Sequence, residues 1–199
     1  MMWNDHSREI RRGDHAVFSP SQYAWLNYSP EKLLEVYKNK QAAKKGTEDH
    51  DFAAMCIKRR QRLWRSKRTL ESYVNDAVGF GMDPEVLLYF SPYFYGWCDA
   101  ILYDETTKVL RIHDLKTGVN QASMCQLEIY AALFFLEYGE RYKITPLTVT
   151  IELRIYQNDD IHISLAPGER IKEIMDLIVF DNGILMKEDG GMHGLLSGK

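Results

Sequence analysis

GWCDAILYDETTKVLRIHDLKTGVNQASMCQLEIY (Gly96–Tyr130) carries two strand signals, a turn and the start of a helix. With the two residues before it, the first signal is FYGWCDAILY (Phe94–Tyr103), rich in aromatic and branched apolar residues as a buried strand requires. KVLRIHDLK (Lys108–Lys116) reads the same way. Between them, Asp104-Glu105-Thr106-Thr107 is polar and turn-prone. A hairpin folded about the Thr106–Thr107 bond sets Asp99 opposite Asp114, with Cβ atoms about 4.5–5.5 Å apart. Side chains alternate along a strand, so Asp114 and Lys116 share one face while His113 and Leu115 take the other. Three charged groups then converge on one side of a sheet.

Two carboxylates that close repel each other unless something neutralises them. A divalent cation does so, and Mg2+ prefers oxygen ligands while keeping waters and substrate phosphate oxygens in its shell. A protonated Lys116 is no ligand, but it can hydrogen-bond an attacking water or stabilise charge on a phosphate. The set suits metal-assisted hydrolysis of a phosphodiester. The tripeptide D-x-K alone is common by chance, and a surface hairpin with an ordinary salt bridge would account for it. The paired strand and the features that follow favour the site.

The chain has 199 residues, enough for one domain with a sizeable core. It is 45% hydrophobic and 27% charged, with a net charge of −3, so any phosphate contact has to come from a local patch. No apolar run suits a membrane span or a signal peptide, and the reading places the protein in the cytoplasm. Cys56, Cys98 and Cys125 are too few and too scattered for a disulfide framework or a zinc cage.

Residues 1–17 read as a flexible arm, with Arg8, Arg11 and Arg12. Ser19-Pro20 opens a helix anchored by Tyr23 and Leu26, and Ser29-Pro30-Glu31 opens a second to about Lys44. Gly46 breaks the pattern and Thr47 caps a third helix bearing His50, which continues through CIKRRQRLWRSKR (Cys56–Arg68). Seven Lys and Arg lie between Lys58 and Arg68. Arg59, Arg60, Arg62, Arg65, Lys67 and Arg68 are candidate contacts to a DNA backbone, with a solvated basic face as the alternative. Trp64 among them reads as core rather than as a stacking surface.

A short helix from Thr69 ends near Gly79, and EVLLYF (Glu85–Phe90) is a strand. Beyond Gly118 a helix runs from about Asn120 to Tyr138, with Cys125, Ile129, Ala132 and Leu136 as its apolar stripe and Gln126 and Tyr130 on a neighbouring face. LTVTIELRIY (Leu147–Tyr156) alternates cleanly, and IHISL (Ile161–Leu165) is an edge strand. A final helix carries Ile171, Ile174, Met175 and Ile178, and a glycine-rich flexible tail begins at Gly183. The fold class is α/β: a central mixed sheet flanked by helices, with 18–82 helical, 83–182 the α/β catalytic core and 183–199 the tail of a single domain.

Asp99 after Gly96, HDLKTG (His113–Gly118) and QLEIY (Gln126–Tyr130) resemble the motifs of the RecB-like branch of the PD-(D/E)XK nucleases. GTEDH (Gly46–His50) is similar to that branch's G-T-x-x-H motif, and FSPSQYAWLNYSPEKLL (Phe18–Leu34) resembles the opening of phage-encoded members. The motifs cover about half the chain, in the family's order. The resemblance implies a restriction-endonuclease-like core and a Mg2+- or Mn2+-dependent deoxyribonuclease, an exonuclease rather than an endonuclease, in phage-type recombination or DNA processing. It implies that Asp99, Asp114, His50 and the Leu115 carbonyl hold metal, that Lys116 is catalytic, and that Gln126 and Tyr130 support the site. Some relatives use a helix glutamate in place of the histidine, which keeps Glu48 in reserve. Relatives with an iron–sulphur cluster bind it through four cysteines, so none is expected here. DNA is the implied partner; a recombination protein and a second copy of the chain stay open. The rivals are a catalytically silent DNA-binding or scaffold protein on the same fold, and an enzyme acting on a sugar or small phosphoester.

Overall fold

The computed structural model describes residues 27–118 and 122–196, without the side chains at 43 and 188–196. The arm at 1–17 and the helix expected at Ser19 lie outside the described residues. The chain up to Thr47 belongs to one compact unit and Glu48–Lys199 to a second.

Helix α1 (Pro30–Lys58) opens as expected, with Ser29 Oγ accepting the Lys32 N–H at 3.3 Å. It does not stop at Gly46 but runs through Gly46 and Thr47 into the His50 segment. One interior glycine costs a helix about 1 kcal/mol, which good helix formers on both sides offset. Nor does α1 reach Arg68. It closes at Lys58 on a left-handed Arg60 (φ 56), with Arg60 N–H on Ile57 O and Gln61 N–H on Cys56 O, both 2.9 Å. That is the bonding of a Schellman stop, usually made by glycine. Arg60 occupies it because its guanidinium binds the Met82 carbonyl and Asp83. Residues Arg59–Arg68 are therefore largely a loop, and the expected basic helix is absent.

Helix α2 (Thr69–Phe80) passes Gly79 and ends at Gly81, whose φ of 76 suits a residue without Cβ. Strands β1 (Asp83–Ser91), β2 (Phe94–Asp104) and β3 (Val109–Leu115) follow as an antiparallel meander. Asp104 Oδ1 accepts from Thr106 N and Thr107 N and folds the second turn. Helix α3 (Cys125–Tyr142) crosses to β4 (Thr150–Gln157), which pairs parallel with β3, and β5 (Asp160–Leu165) closes the far edge. The result is an α/β unit with a five-stranded mixed sheet ordered β1-β2-β3-β4-β5. Helix α4 (Gly168–Leu196) runs straight through Gly183, so the tail expected there is helical as far as Leu196. None of the described helices is long and apolar enough to cross a membrane.

The sheet has a core on each face. One holds Leu110, Ile112, Ile151, Leu153 and Ile155 against α3 and Ile171, Ile174 and Ile178 of α4. The other holds Ala100, Leu115 and Tyr156 against α2 and Ala53, Cys56 and Ile57 of α1. The alternation read for β4 is what fills both. On α3 the buried set is Leu127, Ala131, Ala132, Leu133, Phe134, Phe135 and Gly139, and Leu136 packs against it; of the expected stripe Ala132 and Leu136 face the core, whereas Cys125 and Ile129 are exposed. The helix begins five residues later than expected. Gln157, at the end of β4, bonds Gly118 O and Ala122 N, and so holds the chain on both sides of 119–121 as it approaches α3.

Candidate active site

The register expected for the hairpin is the one formed: Ala100 pairs His113 and Asp104 pairs Val109. The ladder ends one pair before Asp99 and Asp114, which are not ladder partners. The reason is a slip in β2. Ile101 and Cys98, three apart, both enter the α3-side core, while Ala100 and Leu102 face α1 and α2. Glu85 lies alongside on β1, between the pairs Pro84–Ala100 and Val86–Cys98, and its φ is 51. A left-handed residue in a strand turns the ribbon as a bulge does. Asp99 is thereby re-aimed: its Oδ2 accepts the Leu115 N–H at 3.0 Å and lies 3.4 Å from His50 Nδ1 on α1.

Asp114 is buried beneath Lys116, which follows β3 directly. The ammonium donates to Asp114 Oδ1 at 3.2 Å and stands 3.0 Å from Oδ2, yet Oδ2 receives no hydrogen bond. A second donation goes to Gln126 Oε1 at 2.8 Å, and Gln126 Nε2 donates to Tyr130 OH at 3.3 Å. The Tyr130 ring lies over Gly96, where a Cβ would come within 2.8 Å of Cε1. That close approach gives a reason for glycine at position 96. Asp99, Asp114, Lys116, Gln126, Tyr130 and His50 are thus gathered at one place, drawing on helices from both faces of the sheet.

Burial, followed by the Asp99 charge, pushes the Asp114 carboxyl up to about 6, against the lowering effect of Lys116 and His50. Burial and Asp99 also raise Glu85, with His50 opposing. Glu85 reads as a residue at the edge of the site or simply as an exposed one; it is exposed, on β1 beside Asp99. His113 points away, into the core with Phe80 and Tyr156; burial there, with Arg154 and Arg111, holds its imidazole down at about 3.

No family model, curated protein or solved structure matches this chain.

The donor set can be tested against a divalent ion. No three His, Cys, Asp or Glu side chains among the described residues come together as a ready cage. What is present is Asp99 with an adjacent imidazole, and a buried Asp114 that feels the Asp99 charge and has one carboxylate oxygen without a hydrogen bond. Such a set fits a hard cation that keeps waters and takes substrate oxygens. If an ion binds here, His50→Ala should raise the metal concentration needed for half-saturation. Loss of an outer-sphere partner alone costs about ten- to a hundredfold in metal affinity, so at least about tenfold is expected here. An unchanged metal titration would leave His50 as a packing residue.

The basic segment is an exposed loop. Arg60 is committed to Met82 and Asp83, which removes it from the candidate DNA contacts. Arg59, Arg62, Arg65, Lys67 and Arg68 are exposed, and among the described residues none has a carboxylate partner. Leu63 packs on the α2 core, but Trp64 is 89% exposed rather than buried.

Proposed function

We propose that this chain is a metal-dependent deoxyribonuclease on a restriction-endonuclease-like core. The observation that carries the reading is Lys116, held between Asp114 and Gln126 beside a second carboxylate and an imidazole. An ammonium has three N–H donors, and two are used. The third is available for a water or a phosphate oxygen. Gln126 orients Lys116, and Tyr130 and Gly96 fix Gln126. A Mg2+ or Mn2+ ion held by Asp99, Asp114, His50 and the Leu115 carbonyl would supply Lewis acidity and charge neutralisation. Lys116 would orient the attacking water or stabilise the charge that develops on phosphate. The resemblance to the RecB-like branch favours exonuclease action.

The test is cleavage of end-labelled linear and closed circular DNA with Mg2+ or Mn2+, for the wild-type chain and Asp114→Asn. Loss of label from linear DNA alone supports an exonuclease, and nicking of circles an endonuclease. No cleavage of either, with DNA binding intact, would leave the scaffold reading in its place.

The basic loop supplies a further expectation. Each neutralised phosphate releases counterions, so affinity falls steeply with salt. Arg62→Ala with Arg65→Ala should flatten the log–log salt slope by roughly one unit for each phosphate no longer neutralised, equally for all sequences. Arg60→Ala should instead lower the melting temperature, since its bonds hold the end of α1. An unchanged slope in the double variant would make the loop a solvated surface only.

A further inference from the structure

We infer that the loop between α1 and α2 is a reader of single-stranded DNA, with Trp64 stacking on an unpaired base. The inference rests on the nuclease reading and names the form of substrate that the site would take.

The loop is fixed at its root, middle and far end. Arg60 binds Met82 O and Asp83, the Leu63 N–H donates to Asn75 Oδ1 at 2.8 Å, and Thr69 bonds Asp159 Oδ1 through both N–H and hydroxyl. Between these anchors Leu63 turns inward and Trp64 turns outward, 89% exposed. An indole is seldom left so bare on an anchored segment, and here it stands among cations that no carboxylate neutralises. Arg62 and Arg65 flank it, with Arg59, Lys67 and Arg68 close in sequence. A flat aromatic face among guanidinium groups has the chemistry of a base-stacking site with phosphate contacts. Bases inside a duplex are covered by their neighbours, so the exposed face selects unpaired ones.

The root of the loop also lies on a groove that reaches the neighbour of Asp99. An open groove of about 440 Å³ is lined by Ala54, Met55, Lys58, Asp83, Pro84 and Glu85. Lys58 is the last residue of α1, where the loop begins, and Glu85 lies beside Asp99. Asp83 faces the groove already paired with Arg60 at 3.0 Å. The groove thus runs from the root of the loop at Lys58 to Glu85, the neighbour of Asp99.

The test uses the full chain in EDTA, so that binding is measured without chemistry, on a short fluorescent oligothymidylate and on a blunt hairpin duplex. Trp64→Ala should weaken oligothymidylate binding by about ten- to a hundredfold, the usual loss for one stacked base. Duplex binding should change by less than about twofold, and Trp64→Phe, which keeps a ring, should retain most of the affinity. Both variants should melt as the wild type does, because the indole is exposed. Unchanged oligothymidylate affinity in Trp64→Ala, or an equal loss on the duplex, overturns the inference. If cleavage persists in that case, the nuclease reading stands without it. Trp64-dependent binding with no cleavage under any divalent metal would do the reverse.

Discussion

Replacing Lys116 by alanine should lower DNA cleavage by about a hundred- to a thousandfold while leaving DNA binding in Ca2+ nearly intact. The magnitude is that of losing one preorganised donor to developing charge. The geometry argues for it: the ammonium is tied to Asp114 and to Gln126, and both ties leave one N–H over. An indirect effect must be separated from this. Burial and Asp99 raise the Asp114 carboxyl to about 6 even with Lys116 lowering it. Without the lysine Asp114 ionises at higher pH, and the variant could fail merely for want of a carboxylate. Cleavage measured from neutral to alkaline pH distinguishes the two. Activity that stays low throughout assigns Lys116 to the chemistry. Recovery in alkali makes it a residue that only tunes Asp114. Retention of more than about a tenth of wild-type activity at neutral pH would remove it from both roles. Gln126→Ala, which frees Lys116 to turn, should fall between the wild type and Lys116→Ala.

The central hairpin was legible because strand alternation and a polar turn are local properties. Those two features set the register from Ala100–His113 to Asp104–Val109, and they put Asp114 beside Lys116. The clean alternation of β4 was legible for the same reason. What escaped depends on contacts distant in sequence. Helix α1 stops at Lys58 because Arg60 finds Met82 and Asp83, more than twenty residues on, and an arginine gives no warning of a left-handed stop. The same event turned an expected basic helix into a loop and put Trp64 in solvent. Glycines misled in the other direction. Gly46, Gly79 and Gly183 all read as breaks, and all lie inside helices. At Gly81, where φ is 76, glycine does end one. Glu85, which reads as an edge or exposed residue, is exposed on β1 beside Asp99.

Asp114→Asn should make the metal-free protein more stable above neutral pH and blind to divalent ions. The folded protein holds the Asp114 proton up to about 6, against an ordinary value of 3.8. A group whose carboxyl is raised on folding favours the fold while protonated. Its contribution is full below 3.8, declines between 3.8 and about 6, and is lost above that, where the ionised carboxylate is buried without that gain. The size is about 3 kcal/mol at most, from the distance between those two values at about 1.4 kcal/mol per pH unit. Asparagine keeps the shape without the charge but accepts a weaker bond from Lys116. A net gain of about 1–2 kcal/mol, or several degrees in melting temperature, is expected at about pH 8. The gain should shrink as pH falls below about 6, where the wild-type carboxyl takes up its proton. His113 acts with the opposite sign: held down at about 3 from 6.5, it withdraws stability as pH falls through that window. In the wild type the two slopes partly cancel between 3.8 and 6, and in Asp114→Asn the His113 slope stands alone. Groups remote from the site cancel in the difference between the two proteins, so the difference curve reports Asp114 together with the charges coupled to it. Adding Mg2+ or Mn2+ should then reverse the order. If Asp114 is a ligand, ion binding stabilises the wild type by mass action and the variant lacks that ligand. If the two proteins melt together at about pH 8 with and without metal, Asp114 is neither a strained carboxylate nor a ligand, and the metal-dependent reading falls with it.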